Sequence, residues 1–223
     1  MIIRKTRPEE GKRVNTLFAI AFEQPMENGP GEEPGVTNWG AFEEDTMFST
    51  FAVTDFTQIF DGNQVKMGGI GGVATLPSHR RKGGIRGIFQ AALADMYENG
   101  YDFSYLYPFS TAYYRKFGYE NCVNRSFVTV DLGLLSPRKA ETVSVLAELG
   151  SDLRGPIREL DRVWEQTYNM AVCHPEKDYG WVIKADPAGK QNFLYVCFDT
   201  DRKPLAYTQF HLENQILPGI AAY

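Results

Sequence analysis

Residues Val73–Arg86 read Val-Ala-Thr-Leu-Pro-Ser-His-Arg-Arg-Lys-Gly-Gly-Ile-Arg. An apolar, β-branched start runs into a basic loop holding Gly83 and Gly84, and a periodic apolar pattern follows. That order predicts a strand, a glycine-containing turn and a helix N-terminus. The first turn of a helix presents unpaired N–H donors and the positive end of its dipole, which suits a phosphate or pyrophosphate. Gly83 and Gly84 let the backbone approach the oxygens, while Arg80, Arg81, Lys82 and Arg86 add charge. The spacing matches neither G-x-x-x-x-G-K-[ST] nor the dinucleotide fingerprint. On charge alone the segment reads first as a solvated basic turn or a nucleic-acid patch. Its place between a glycine-rich strand and a periodic helix reverses that preference.

The pattern Arg80-x-x-Gly83-x-Ile85 resembles the pyrophosphate loop of the GNAT superfamily of N-acetyltransferases, roughly Arg/Gln-x-x-Gly-x-Gly/Ala, with Ile in the last place. Taken with Tyr113-Tyr114-Arg115-Lys116-Phe117-Gly118-Tyr119, the stretch is similar to the Eis subfamily of bacterial acetyltransferases. The likeness is specific over residues 64–121, vaguer before them, and after residue 150 resembles the start of that family's second GNAT-like unit. The resemblance implies that acetyl-CoA lies against Val73, Ala74 and Thr75, with its pyrophosphate held by the loop from Arg80 through Arg81, Lys82, Gly83, Gly84 and Ile85 to Arg86. It also implies that Phe109 and Ser110 line the cofactor and that Tyr114 is the proton donor. The family protein is longer, with a whole second unit and a further C-terminal domain whose terminal carboxylate serves as general base. On that resemblance this 223-residue chain is expected to be incomplete, able to bind cofactor and catalytically impaired.

The chemistry fits the residues. An amine attacking a thioester generates an oxyanion and expels a thiolate. Backbone N–H groups freed by a bulge near Val73–Thr75 would stabilise the oxyanion. A phenol with a pKa of about 10 is a suitable acid for a thiolate of similar basicity. Tyr113 and Tyr119 are expected to serve packing. Glu23, Glu27, Glu32 and Glu33, in a Pro/Gly-rich stretch, would line a pocket for a cationic amine, although a charged loop is more often merely solvated. Trp39 would either close that pocket or join the core.

The elements that must position these residues follow from local pattern. Ile2-Ile3 begins a strand, and Thr6-x-x-Glu9 with Pro8 reads as a helix start. Val14, Leu17, Phe18 and Ala21 recur at helical spacing. Residues 23–40 read as a surface loop. Phe48–Phe60 and a partner from Gln64 to Thr75 form a hairpin about Asp61-Gly62, with Gly68-Gly69 and Gly71-Gly72 marking a bulge or a close approach to ligand. A helix follows from Gly84 to Asn99, then a strand Tyr101–Tyr107, a short helix Thr111–Lys116 and a strand Ser126–Leu132. The fold class is α/β (α+β), a GNAT-type fold with a mixed central sheet. The expected organisation is a catalytic domain at 1–135, a linker with a small helix at 136–155, and a partial second unit at 156–223. In that second unit a hairpin of Asn192–Phe198 and Leu205–Leu212 has nothing evident to cover it.

The function expected is transfer of an acetyl group from acetyl-CoA to a primary amine of a polyamine, an aminoglycoside-like molecule or a protein lysine. A non-catalytic acyl-CoA-binding module is the alternative. A net charge of −5 argues against a nucleic-acid partner. Cys122, Cys173 and Cys197 form no pair, and His79, His174 and His211 have no metal-ligand spacing, so no metal is expected. Sparse thiols, the absence of a secretory leader pattern and the lack of a spanning apolar run point to a cytoplasmic protein free of the membrane, with homo-oligomers open.

Overall fold

The computed structural model describes residues 1–23, 34–123, 128–134, 136, 142–148, 151–175, 179–180, 182, 185–189 and 192–211. They fall into two compact units, Met1–Phe127 and Val128–Tyr223.

The first unit runs β1 (Ile2–Lys5), α1 (Gly11–Phe22), β2 (Val36–Glu43), β3 (Thr46–Phe60), β4 (Asn63–Thr75), α2 (Gly84–Glu98), β5 (Phe103–Leu106) and α3 (Thr111–Tyr114). The strands lie side by side in the order β1-β2-β3-β4-β5. All neighbours are antiparallel except β4 and β5, which pair in parallel. A parallel pair needs a long crossover, and α2 supplies it. The sheet is therefore mixed, as the sequence pattern predicts.

Apolar periodicity decides which face each helix covers. Val14, Leu17 and Phe18 of α1 pack on Phe42, Met47, Ala52 and Ala74. Ile85, Ile88, Phe89, Ala92 and Met96 of α2 pack on Trp39, Ala41, Phe51, Val53 and Ile70. Each fully buried Leu, Ile or Phe contributes about 1.5–3 kcal/mol relative to exposure. The box forms one residue on from the expected Thr6/Glu9, at Arg7 and Glu10, and it opens a 3-10 turn, Pro8–Glu10, that leads into α1. Glu10 accepts from the Arg7 N–H at 2.7 Å and is clamped by Arg4 at 2.6 Å, which holds its carboxyl below the usual range.

Two expectations about elements of this unit need correction. Residues 36–40 belong to β2 rather than to a loop. Asn38–Phe42 are buried without interruption, so the strand lacks the period-2 contrast that marks a half-exposed strand. The strand expected at Ser126–Leu132 is absent among the described residues there, and Leu132–Leu134 is a 3-10 turn.

The second unit contains β6 (Val143–Leu146), α4 (Arg154–Thr167), β7 (Val172–Cys173), β8 (Asn192–Phe198) and β9 (Pro204–His211). A sheet of order β6-β8-β9 forms, and β6 lies within the stretch that reads as a linker with a small helix. The hairpin β8–β9 is not bare. Leu194, Val196 and Phe198 are buried against Ala147, Ile157, Tyr179, Val182 and Ala185. The third strand and these dispersed apolar residues supply the cover that local pattern did not reveal.

Candidate active site

The β3–β4 hairpin turns at Asp61 and Gly62, both with positive φ, so Phe60 faces Asn63 across a tight turn. Its register then holds from Asn63 to Gly71. Beyond that point Ala52 pairs with Gly71 but Thr50 pairs with Ala74. One residue of β3, Phe51, thus faces two of β4, Gly72 and Val73, which form a bulge. Gly72 has φ +65°, and a Cβ there would collide with the Phe18 ring. The bulge also explains why Ile70 and Val73, an odd number apart, both pack into the core on the α2 face.

The parallel ladder between β4 and β5 ends at Ile70 and Leu106. From Gly71 to Thr75 the β4 edge therefore has no strand partner on that side among the described residues. The ladder ends where the bulge re-aims the backbone, so the main-chain groups on that side of Gly71–Thr75 are not paired by a strand. Here the side chains of the predicted cofactor residues are otherwise engaged. Ala74 is buried, and the Thr75 hydroxyl shares a 2.9 Å hydrogen bond with buried Ser49. Any ligand at Val73–Thr75 meets backbone first.

A short 3-10 turn, Pro77–His79, carries the chain from β4 into the basic loop. Arg81 (φ 67°) and Gly83 (φ 85°) are left-handed, with Lys82 between them on the negative-φ side. The Lys82 N–H turns back to the His79 carbonyl at 3.4 Å, so the anion donors here are those of the α2 N-terminus. Gly83 is the N-cap of α2 and no side chain caps that terminus, so the first-turn N–H groups from Gly84 to Arg86 remain available. Gly84 is glycine for packing: a Cβ would lie 2.6 Å from Phe48 Cε2 and from Ser49 Oγ. Arg80, Arg81 and Arg86 are exposed beside this terminus. Lys82 bonds Glu43 at 3.2 Å, and His79 Nε2 lies 3.4 Å from the same carboxylate. These features fit a diphosphate: first-turn N–H donors, a positive helix end and exposed cations.

After β5, Phe109 projects as an exposed ring, 5.3 Å from the centroids of both Tyr113 and Tyr114. Ser110 caps α3, its Oγ accepting from the Tyr113 N–H at 3.3 Å. Tyr114 is 4% exposed and sits in the same cluster as Ile70, Ile85 and Phe89, with Val73 packed against it. Burial, reinforced by Tyr113 and Tyr119, pushes its phenol up to about 12. It is thus a fully protonated donor at neutral pH, yet a weaker acid than the near-thiolate match expected from sequence. Burial also raises Tyr113, against the nearby Arg86 charge, which ties the basic loop to the tyrosine cluster. Tyr119 shares a 2.6 Å hydrogen bond with Ser104.

The structure thus gathers Val73, Ile85 and Tyr114 in one cluster, with the basic loop opening α2 and Phe109 packed edge to face on Tyr114. It does not bring Trp39 to them as a pocket wall. Trp39 is 7% exposed in the core, with Lys5 Nζ 5.4 Å from its ring centroid. Glu23 is the exposed, left-handed C-cap of α1, while Glu27, Glu32 and Glu33 lie outside the described residues. Sequence reasoning missed Glu43, the anion that holds Lys82 and His79. Its partners are remote in sequence, so no local signal marks it. Among the described residues no cluster of potential ligands suits a metal, and no helix is long and apolar enough to cross a membrane.

Residues 2–122 match the family model described as "Acetyltransferase (GNAT) domain". No curated protein matches the sequence. Solved structures similar to nearly the whole chain include a conserved Enterococcus faecalis V583 protein described as a probable N-acyltransferase, with TM-score 0.75, 22% identity, and coverage of 96% of this chain and 55% of that one. A GCN5-related N-acetyltransferase from Anabaena variabilis is similar at TM-score 0.71 and 18% identity, over 94% of this chain and 54% of that one. Eis1 from Mycobacterium abscessus is similar at TM-score 0.63 and 20% identity, over 93% of this chain and 52% of that one. At these identities the likeness is one of fold. The chain spans about half the length of these structures.

Proposed function

The chain belongs to the GNAT acetyltransferase family, and from that premise we propose that it moves the acetyl group of acetyl-CoA to a primary amine. The observation that carries this reading is the bulge at Gly72–Val73, set where β4 parts from β5 and beside the left-handed loop that opens α2. The bound co-substrate supplies an activated acetyl thioester. Backbone donors of Gly83–Arg86 would hold its diphosphate, with Arg80, Arg81 and Arg86 adding charge. Free main-chain N–H groups of the β4 edge at Val73–Thr75 would orient the acyl oxygen and stabilise charge that develops on it. Phe109 would cover the acyl end, and Tyr114 would hold a proton at its phenolic oxygen for the departing sulfur.

The acceptor is proposed to be a polyamine, an aminoglycoside-like amine or a protein lysine, and the subfamily to be Eis-like. The motif Tyr113-Tyr114-Arg115-Lys116-Phe117-Gly118-Tyr119 supports that affiliation. A cytoplasmic setting accords with the same reading. Free-thiol release from acetyl-CoA, measured across polyamines, aminoglycosides and lysine peptides, tests it. Amine-dependent release identifies the acceptor class. CoA binding with no release for any amine would replace the enzyme with an acyl-CoA-binding module.

A further inference from the structure

The second unit carries a cavity that plays no part in the acetyl-transfer reading. It has a volume of about 510 Å³, between α4 and β9, and is lined by Leu160, Asp161, Trp164, His174, Tyr179 and Tyr207, among others. That volume suits a small organic molecule. At its base Asp161 accepts hydrogen bonds from two phenols, Tyr179 at 2.9 Å on Oδ2 and Tyr207 at 3.0 Å on Oδ1. One helical turn on, Glu165 is 8% exposed and accepts from the His174 backbone N–H at 2.9 Å, with His174 Nδ1 at 3.3 Å. The i, i+4 spacing places both carboxylates on one face of α4. Tyr207 and Trp164 keep 38% and 52% of their surface exposed, and Trp164 stands beside Asp161 on the same helix.

Aromatic faces carry negative quadrupole charge, and with the Asp161 carboxylate they make the cavity favourable to a cation. The walls are too apolar to replace the hydration of a compact metal ion. An alkylated ammonium, whose charge is spread over an apolar surface, fits better. The Arg158 guanidinium lies 5.9 Å from the Tyr179 centroid and takes that ring's face, so Trp164 and Tyr207 are the rings left to face a ligand. Asp161 and Glu165 oppose an anionic ligand. We infer that this cavity is a binding site for an organic ammonium group, with Trp164 and Tyr207 as aromatic walls and Asp161 as the counter-charge. The site is built from second-unit residues alone and needs no acetyl transfer.

Calorimetric titration of the whole chain with choline, and with its uncharged isostere 3,3-dimethylbutan-1-ol, tests the inference. Choline should bind saturably with unit stoichiometry and bind at least about tenfold more tightly than the alcohol, the order expected of a partly desolvated cation–π site. Trp164→Leu should lower choline affinity about tenfold. Trp164 is half exposed, so this variant keeps the fold, which circular dichroism verifies. Asp161→Asn, which retains an acceptor for one phenol, should lower it similarly. Equal binding of choline and the alcohol would make the cavity merely apolar and overturn the inference. So would the absence of saturable choline binding, or binding indifferent to Trp164→Leu. CoA binding, measured in the same variants, reports separately on the first unit.

Discussion

The tip of the Phe18 ring fills the position where Gly72 would carry a Cβ, so the helix α1 and the β4 bulge are locked together. Space and backbone conformation both demand glycine there, because φ is +65°. The contact fixes the bulge from the α1 face, while Val73 and Ile70 fix it from the α2 face. The proposed acyl site is thereby built on two packed layers rather than on a loop.

Gly72→Ala should therefore destabilise the chain by more than about 1 kcal/mol, since Ala is strained at positive φ and also collides with Phe18. Urea denaturation measures it. Turnover should fall with stability intact at low temperature, because the bulge donors shift. A Gly72→Ala protein with unchanged midpoint and turnover would show that the bulge is incidental.

Arg81→Ala combined with Arg86→Ala should weaken CoA binding by about 1–3 kcal/mol, the range of charge-assisted hydrogen bonds. Calorimetry at fixed salt measures the change, and a folded double variant with native affinity would remove the loop from the site.

Glu43 competes for Lys82 and His79 in the ligand-free protein. Glu43→Gln should tighten CoA binding at low salt, and the gain should fade as salt screens the exposed charges. Weaker binding in that variant would mean that Glu43 positions the loop instead.

Tyr114→Phe should leave CoA binding intact and lower turnover on the order of 10²-fold, at the lower end for a general acid. With the phenol pushed up to about 12, no limb of the pH–rate profile below that value should belong to it. The same shift has a stability consequence. Between about pH 10 and 12 the folded phenol keeps its proton while the unfolded one loses it, so stability falls through that window. Tyr114→Phe should flatten the alkaline decline monitored by circular dichroism; an unchanged slope would show that the buried phenol does not titrate as described.

Much of the site was legible because it is local. Of the two glycine pairs that mark a bulge or a close approach, Gly68-Gly69 and Gly71-Gly72, the second adjoins the bulge, Gly83-Gly84 marks the turn into α2, and the apolar stripe of α2 matches its buried face. What escaped has nonlocal causes. β2 is buried on both faces, so residues 36–40 read as loop, and of the two places open to Trp39, pocket or core, it takes the core. Glu43 finds Lys82 and His79 only after β2 and β4 are brought into one sheet. The covering of β8 comes from Ala147, Ile157, Tyr179, Val182 and Ala185, residues too dispersed to form a pattern. The Tyr114 phenol was expected near its ordinary value, but the packing of Phe89, Phe109 and Tyr113 around it removes water.

The most direct test of the account is a paired measurement on one reaction: acetyl-CoA, the chain and a primary amine, with free thiol and acetylated amine quantified together by mass spectrometry. The account predicts that both form in equal amounts, only when amine is present, and that Tyr114→Phe depresses both alike. Saturable CoA binding with no acetylated amine for any polyamine, aminoglycoside or lysine peptide would contradict it.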